Sequence, residues 1–452
     1  MKNIPYNPRM NRDIYQQLKH WKASSRRKPL IINGARQVGK TYALKHFGSK
    51  EYQRVAYFNF EKDKQLASYF QASIEPKQLI KTLTIHSDVD IEPENTLLIF
   101  DEIQECPRAL NSLKYFCEEA NDYHIAAAGS LLGVKTANSE GFPVGKVNFL
   151  NLYPFSFFEF LVATGNERLR LYLEEITEFE PIPNGLHEKL IELLKYYFFI
   201  GGMPEVLAEY IRSENLEAVR EVQLEILEAY EKDFAKHAPH NQIMKITTVW
   251  QQVHRELAKE NKKFIFSNIR KSARGRDYEQ AIQWLADAGL IYKSHQISAP
   301  RLPLSSCAST TIFKIFAHDV GLLGAKSNLS AKTIINGNSL FIEFNGALTE
   351  NYVAQQLVSS SSPGLYYWAS QGSAEVDFVI ETEQNIYPLE VKAGISTKKK
   401  SLLVYGDRYP QSLLSRSTGM NLKCDGKIHN YPLYLIERFP LKDLTPDNAR
   451  MP

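Results

Sequence analysis

The chain has 452 residues, 44% of them hydrophobic and 12% aromatic, which is enough apolar material for several buried cores. This composition excludes a disordered chain and predicts a globular protein of roughly three domains. Its 54 Lys and Arg residues against 51 Asp and Glu leave a net charge of +3. That balance by itself excludes no class of partner, so the distribution of charge matters more.

Neither a targeting segment nor a metal or disulfide framework is indicated. The first residues contain two prolines and no apolar centre, so we expect no secretory signal. The most apolar run, Tyr196–Met203, is shorter than the ~20 residues that a membrane helix needs. The four cysteines are too scattered for a zinc site or a disulfide framework. We therefore expect a soluble, cytoplasmic protein with no membrane partner.

The first part of the chain alternates apolar runs with helical patterns, which is typical of an α/β sheet with helices packed on it. The predicted strands are Leu30–Asn33, Val55–Phe60, Leu97–Phe100, Ile125–Ala128 and Val147–Leu152. The predicted helices are Asp13–Ala23, Lys40–Phe47 and Pro107–Ala120. After Phe155 the alternation ends, and the amphipathic stretches Glu188–Tyr197 and Val206–His237 predict a helical lid or connector. The break between them is predicted at Gly201-Gly202-Met203-Pro204.

A phosphate-binding loop follows the first predicted strand directly. Gly34–Thr41 fits the pattern G-x-x-x-x-G-K-[ST], in which the glycines let backbone N–H groups surround phosphate. In this pattern Lys40 reaches the β- and γ-phosphate oxygens and Thr41 ligates magnesium. The predicted nucleotide site therefore consists of Gly34, Ala35, Arg36, Gln37, Val38, Gly39, Lys40 and Thr41.

Hydrolysis needs a second signal, an acidic pair at the end of a strand. Thr96–Phe100 is an apolar strand that leads into Asp101 and Glu102. We expect Asp101 to hold the magnesium shell and Glu102 to orient and deprotonate the attacking water. Ser130, after another predicted strand, is the candidate that senses the γ-phosphate.

These motifs resemble the prokaryotic AAA-type ATPases of the archaeal-ATPase group, related to the STAND class. The segments that carry the resemblance are Gly34–Thr41, Phe-Asp-Glu-Ile-Gln at 100–104, Gly-Ser-Leu-Leu at 129–132 and Leu-Tyr-Pro-Phe-Ser-Phe-Phe-Glu-Phe-Leu at 152–161. The resemblance implies ATP as the nucleotide and assembly with a protein partner or with further copies of the chain. In this family an arginine commonly stands where the chain has Lys146, whose ammonium lacks the bidentate fork of a guanidinium. A structural role explains Arg36 and Arg108 as well as a catalytic role does. Neither is therefore assigned as the arginine finger, the arginine that contacts the phosphates during hydrolysis.

Residues 245–300 predict a winged helix, with short helices before Arg276–Gly289 and strands at Leu290–Gln296 and Thr311–Ala317. This segment holds ten Lys or Arg residues against five Asp or Glu, a net charge of +5. Its basic residues cluster at Arg270, Lys271, Arg274 and Arg276. The cluster predicts contact with nucleic-acid phosphates, while a solvated basic face explains it equally well.

The last section predicts a helix at Asn345–Gln356, then a strand, a hairpin and a further helix. The outer elements are Gly364–Ala369 and a helix that begins at Ser401, and the hairpin strands are Val376–Glu381 and Ile386–Val391.

Three charged residues on the hairpin form the pattern Asp377-x12-Glu390-x-Lys392. Alternation along a strand puts Glu390 and Lys392 on one face. Carboxylate oxygens suit magnesium, and the lysine suits activation of water, so the pattern predicts Mg²⁺-dependent cleavage of phosphodiesters. Glu350, on the preceding helix, is a further candidate ligand. The set resembles the PD-(D/E)xK restriction-endonuclease fold, and a nuclease-like fold without catalytic use remains an alternative.

The predicted fold class is α/β, with four parts. An AAA-like P-loop ATPase core spans 1–155, a helical lid or connector 156–240, a winged helix 241–335 and a nuclease-like α/β domain 336–452. The predicted function is ATP hydrolysis that acts on, or is regulated by, nucleic acid, with a C-terminal domain that binds or cuts DNA. The alternative is an ATP-operated signalling or scaffold switch with a silent nuclease-like domain.

Overall fold

The computed structural model describes residues 10–129, 143–257, 275–336, 342–360, 364–370, 372–394, 400–410 and 412–441. Contacts within the chain divide it into two compact units. The first unit holds Asn11–Tyr153 together with Asp287–Gly289, and the second unit holds the remainder. The boundary at Tyr153 lies close to the predicted end of the ATPase core. The boundaries predicted at 240 and 335 lie inside the second unit and stay predictions.

A parallel five-stranded sheet with the order β2-β3-β4-β1-β5 forms the centre of the first unit. The sequence predicted all five strands, and it matched β1 at both ends. Strands β3 and β4 are buried along their whole length, as expected where helices cover both faces of a parallel sheet. The strands are β1 Leu30–Asn33, β2 Arg54–Asn59, β3 Thr96–Asp101, β4 His124–Ala128 and β5 Asn148–Asn151.

Five helices of the first unit are described: α1 Ile14–Ala23, α2 Lys40–Glu51, α3 Gln65–Ala72, α4 Pro76–Ser87 and α5 Pro107–Glu119. Proline opens α4 and α5, at a position where a backbone N–H has no partner inside the helix. Phe58, Phe70 and Phe100 join the sheet to these helices in one core. Each such buried side chain contributes about 1.5–3 kcal/mol to stability. Helices α1, α2 and α5 confirm the predictions, whereas α3 and α4 were not predicted.

The second unit begins with a run of helices: α6 Phe157–Ala163, α7 Glu167–Glu174, α8 Asn184–Ile200, α9 Pro204–Ser213, α10 Leu216–His237, α11 Ile243–Leu257 and α12 from Gly275 to Asp287. The predicted break at the paired glycines is confirmed, because α8 ends at Ile200 and α9 begins at Pro204. The helical stretch predicted over Val206–His237 consists of α9 and α10. Glu214 turns the chain with a φ of +51°, and the side chain of Asn215 then caps α10.

Two sheets follow in the second unit, with orders β7-β6-β8-β9 and β10-β11-β12-β14-β13. The hairpin predicted as a wing, β6 and β7, is present, but β6 also pairs in parallel with β8. Ile297 of β6 shares a core with Trp368 and Val379, so the hairpin belongs to the same packed region as the C-terminal strands. The strands are β6 Ile291–Ile297, β7 Ala308–Ala317, β8 Leu365–Ala369, β9 Glu375–Val376, β10 Phe378–Glu381, β11 Ile386–Val391, β12 Leu414–Thr418, β13 Lys423–Asp425 and β14 Ile428–Pro432.

The remaining helices are α13 Val320–Lys326, α14 Ala331–Asn336, α15 Ile342–Ser360 and α16 Lys400–Arg408. The order α15, β8, hairpin, α16 confirms the elements predicted for the last section. Of the predicted basic cluster, Arg270, Lys271 and Arg274 lie outside the described residues, as does the side chain of Arg276. The winged helix therefore stays a prediction. Among the described helices, none combines the length and the apolar character needed to cross a bilayer.

Candidate functional site

The loop after β1 has the backbone geometry that surrounds a phosphate group. Gly34 has a φ of +150°, and a Cβ there would lie 2.2 Å from the carbonyl oxygen of Leu152. Gly39 has a φ of +94° and directly precedes the first residue of α2. The space at Gly34 excludes a larger side chain, and the positive φ of Gly39 favours glycine at the start of α2. A helix N-terminus of this kind attracts anions.

Lys40, the first residue of α2, is folded back onto this loop. Its Nζ donates to the carbonyl oxygens of Gly34 at 2.8 Å and Ala35 at 2.7 Å. Burial lowers the pKa of Lys40 to about 8, while the nearby charges of Glu102 and Asp101 act in the opposite direction. The ammonium is thus held where the phosphates of a nucleotide would replace two neutral carbonyls as its partners.

Asp101, the last residue of β3, is the centre of a hydrogen-bonded group. Thr41 Oγ1 donates to both of its carboxylate oxygens, at 2.9 and 3.0 Å. Tyr57 donates its hydroxyl at 2.6 Å and Asn59 its amide at 3.2 Å, both to Oδ2. These donors satisfy the oxygen atoms of a carboxylate that is only 4% exposed.

Glu102 follows Asp101 in a left-handed backbone conformation, with a φ of +52°. A non-glycine residue in this region stores about 1–3 kcal/mol of strain and persists only where its surroundings hold it. One such contact comes from Gln104, whose Nε2 donates to Glu102 Oε2 at 2.6 Å.

Sequence reasoning missed four residues that support this site: Arg12, Tyr57, Asn59 and Gln104. Tyr57 and Asn59 lie two residues apart and therefore on the same face of β2, and Asn59 pairs with Asp101 in the parallel register. Two polar residues on one face of a strand were the sequence signal that could have identified them. Arg12 donates to the carbonyl of Val38 in the loop at 3.2 Å and to that of Tyr153 at 2.5 Å. Nothing in the sequence pattern indicated that role.

The structure does not place any of three further candidates for phosphate contact, Ser130, Lys146 and Arg108, on a phosphate site. Ser130 lies outside the described residues. Lys146 pairs with Glu118 at 2.9 Å, and it precedes β5 at the amino-terminal edge of the sheet, whereas the loop follows the carboxyl end of β1. Arg108 donates to the backbone carbonyl of Phe70. Lys146 therefore lies at the opposite edge of the sheet from the loop, and the Nε atom of Arg108 is bound to the backbone.

The group Thr41 and Asp101 fits a magnesium ion. Both offer oxygen atoms, the ligand type that Mg²⁺ prefers, and the ion usually completes its shell with phosphate oxygens and water. Among the described residues, no three His, Cys, Asp or Glu side chains form a group that would hold a metal ion without a nucleotide.

The C-terminal residues predicted from the second pattern come together as well. Asp377, between β9 and β10, accepts the backbone N–H of Val391 with Oδ2 at 2.8 Å. Glu390 Oε1 lies 3.0 Å from Lys392 Nζ. Burial opposes the positive charge of Lys392, but Asp377, Glu390 and then Glu350 outweigh it and raise its pKa. Burial raises the pKa of Glu390, since it disfavours the carboxylate.

A lysine that the sequence pattern did not include enters this group from β7. Lys314 is fully buried, and its Nζ lies 2.5 Å from Glu375 Oε1 and 4.0 Å from Asp377 Oδ1. Burial alone would lower its pKa, yet the charges of Glu350, Glu375 and Asp377 raise it above the ordinary lysine value. We call Glu350, Glu375, Asp377 and Glu390 the acidic cluster. A lone lysine within the apolar run 312–316 was the signal for this contact, because a buried ammonium requires an anionic partner.

Comparison with known families gives three matches along the chain. Residues 26–161 match the AAA_14 family, described as an AAA domain. Residues 191–333 and 345–432 match two families described as domains of unknown function, DUF8612 and DUF4143. No curated protein sequence matches the chain significantly. With the loop and the acidic pair in place, residues 26–161 are an AAA-type P-loop ATPase domain.

Solved structures give distant likenesses. The Walker-type ATPase PABY2304 of Pyrococcus abyssi is 13% identical over 70% of this chain and 96% of its own, with a TM-score of 0.44. DnaA of Aquifex aeolicus, bound to AMPPCP, is 13% identical over 61% of this chain and 85% of its own, with a TM-score of 0.27. The ORC1 protein of Aeropyrum pernix, in complex with DNA, is 11% identical over 72% and 94%, with a TM-score of 0.28.

Proposed function

We propose that the chain binds ATP with magnesium at Gly34–Thr41 and hydrolyses it. The observation that carries the proposal is the pair of hydrogen bonds from Thr41 to Asp101 beside the buried ammonium of Lys40. In this assignment the loop N–H groups and Lys40 hold the β- and γ-phosphates, and Thr41 with Asp101 holds the metal. The bound metal would neutralise the charge of the phosphate oxygens.

Glu102 is the proposed general base. Its carboxylate takes a proton from water as the water oxygen bonds to the γ-phosphorus and the bond to the ADP oxygen breaks. The contact from Gln104 to Oε2 supports this role, since it fixes the orientation of the side chain. Ser130 stays a predicted sensor of the γ-phosphate.

Two substitutions test the ATPase proposal. Lys40→Ala should abolish ATP binding, because charge-assisted hydrogen bonds worth about 1.5–3 kcal/mol each are lost. Glu102→Gln should retain ATP and stop turnover. Lys50→Ala and Glu119→Gln, at exposed positions of the same unit, are the matched controls. Unchanged hydrolysis in Lys40→Ala and Glu102→Gln, measured as phosphate release, would overturn the assignment.

For the output we propose an ATP-operated switch whose nuclease-like C-terminal domain binds a partner without cutting it. Two observations support this choice over the DNA-cutting function. Asp377 and Glu390 already face protein partners, Val391 N–H and Lys392. In addition, the described residues contain no ready metal-holding group. The winged helix is part of this proposal. The proposed partner is DNA, another protein or a second copy of the chain.

Nicking and binding assays separate the two outputs. Magnesium-dependent nicking of plasmid DNA by the wild type that disappears in Asp377→Ala would refute the silent domain. ATP turnover with and without single-stranded, duplex and branched DNA identifies the partner class. No DNA affinity at low salt, where phosphate contacts are strongest, would exclude DNA as the partner.

A further inference from the structure

Lys314 stands in an unusual position for a lysine. It lies in β7 between Phe313 and Ile315, and no part of its side chain reaches solvent. The ring of Tyr367 lies 4.8 Å from its Nζ, and Glu375 lies on its polar side. Burying an ammonium is energetically costly unless anions surround it. The site must therefore supply a compensating negative charge.

The acidic cluster supplies that charge, and it needs a cation in return. Glu375 and Asp377 lie beside Lys314, Glu390 lies beside Lys392, and the charge of Glu350 acts on both lysines; all four carboxylates except Glu375 are largely buried. The motif lysine, Lys392, contacts Glu390. A second cation is thus required near Glu375 and the Oδ1 atom of Asp377, and this is where the Nζ of Lys314 lies.

We propose that Lys314 is a built-in cation that takes the place of a divalent metal ion in the acidic cluster. Its ammonium is tethered to the chain and neutralises the carboxylates without any ion from solution. A divalent cation entering the same cluster would meet the positive charge of Lys314 at close range, which disfavours its binding. The Oε2 atom of Glu390, on a side chain that is 4% exposed, has no hydrogen-bond partner among the described residues.

Removal of the lysine should convert the cluster into a metal site. The experiment measures Mn²⁺ binding to the full-length, nucleotide-free protein from the loss of the free-ion EPR signal. Lys314→Ala is expected to bind one equivalent of Mn²⁺ at least tenfold more tightly than the wild type. Asp377→Asn in the Lys314→Ala background should remove this binding, which locates the ion. Lys293→Ala, in the adjacent strand, is the matched control and should behave as the wild type.

Two results would overturn the proposal. One is wild-type protein that binds Mn²⁺ in a manner that depends on Asp377. The other is Lys314→Ala that binds Mn²⁺ no more tightly than the wild type does.

A second measurement covers the case in which Lys314→Ala folds but is strongly destabilised. The double variant Lys314→Ala with Glu375→Gln removes the cation together with its nearest anion, so it should unfold at a higher denaturant concentration than the single variant. Mn²⁺ should raise the midpoint of the single variant but not that of the wild type. A double variant no more stable than the single one would contradict the role of Lys314 as a counter-ion.

This inference deepens the proposal of a silent nuclease-like domain, and its failure can be told apart from the failure of that proposal. Nicking by the wild type that disappears in Asp377→Ala would refute the silent domain whatever Lys314→Ala binds. Absence of Mn²⁺ binding in Lys314→Ala would refute the built-in cation even if the wild type never cuts DNA.

Discussion

Asp101 is the residue on which the geometry of the nucleotide site depends most. It accepts hydrogen bonds from Thr41, Tyr57 and Asn59, which come from α2 and from the neighbouring strand β2. The three donors fix both carboxylate oxygens before any ligand arrives. Fixed ligands reduce the reorganisation needed when a metal and a nucleotide bind, which is how a protein preorganises a reaction site.

Gln104→Ala is expected to lower kcat about tenfold, because the Glu102 carboxylate loses the contact that orients it toward water. The dissociation constant for ATP should stay within a factor of about two, since Gln104 touches no predicted phosphate ligand. Steady-state turnover and nucleotide titration measure the two quantities. Gln78→Ala, at an exposed position of α4, is the control, and an equal loss in ATP affinity would contradict a positioning role.

His124, the first residue of β4, predicts a dependence of stability on pH. Burial, followed by the charges of Arg27 and Lys22, lowers its pKa to about 4. The unfolded chain therefore binds more protons between pH 6.5 and 4, and the first unit loses stability as the pH falls through this window. The loss from this residue between pH 7 and pH 5 is about 2 kcal/mol. Denaturant unfolding of the wild type and His124→Gln at both pH values measures it; an equal loss in both would contradict the assignment.

At the scale of elements, a buried polar network constrains the turn between α8 and α9. Gly202 N–H donates to Asp319 Oδ2 at 2.6 Å, and Asp319 also caps α13 by accepting the N–H of Leu322. Gln355 of α15 donates to the hydroxyl of Tyr197 at 2.9 Å. Burial raises the pKa of Asp319 to about 6, with these N–H donors acting in the opposite direction. One buried polar network therefore joins α8, α13 and α15.

Gly201→Ala should destabilise the second unit by about 3–5 kcal/mol, as the sum of backbone strain and overpacking. Gly201 has φ +77° and ψ −166°, a region open to glycine, and an added Cβ would lie 2.3 Å from Asp319 Oδ1. Gly185→Ala is the matched control, because the space around Gly185 in the first turn of α8 is open. Denaturant midpoints measure both variants, and equal midpoints would show that the turn tolerates a side chain.

At the scale of the whole molecule, the proposed switch would need to link a nucleotide site in one unit to an output in the other. The predicted ATP ligands lie in the first unit, while the acidic cluster and the Asp319 network lie in the second. A ligand shifts an equilibrium only by its difference in affinity between two states. The proposed switch therefore requires that ATP change the behaviour of the second unit.

Hydrogen exchange of Glu102→Gln with saturating ATP tests this requirement. At 100 times its dissociation constant, ATP should stabilise the first unit by about 2.7 kcal/mol and slow exchange there. Exchange in the second unit should change as well, and Lys40→Ala should show neither effect. A change restricted to the first unit would contradict the switch and leave an isolated ATPase.

The sequence by itself predicted the nucleotide site and most of the secondary-structure elements. Gly34–Thr41 and Asp101-Glu102 are local patterns that indicate a nucleotide site only when they stand next to particular strands and helices. The structure has β1 before the loop, α2 after it and β3 before the acidic pair, as expected. Local backbone preference and hydrophobic periodicity are properties of neighbouring residues, so a single sequence reveals them. The same holds for β11, which was predicted with both ends correct.

Only the tertiary structure decided which distant residues meet. Tyr57 and Asn59 reach Asp101 through the pairing of β2 with β3, and Lys314 reaches Glu375 from a strand predicted to belong to another domain. Strand order and the packing of one layer on another are set by long-range burial, for which sequence spacing carries no signal. The charge balance of the acidic cluster follows from that long-range packing. So does the proposed replacement of a metal ion by Lys314.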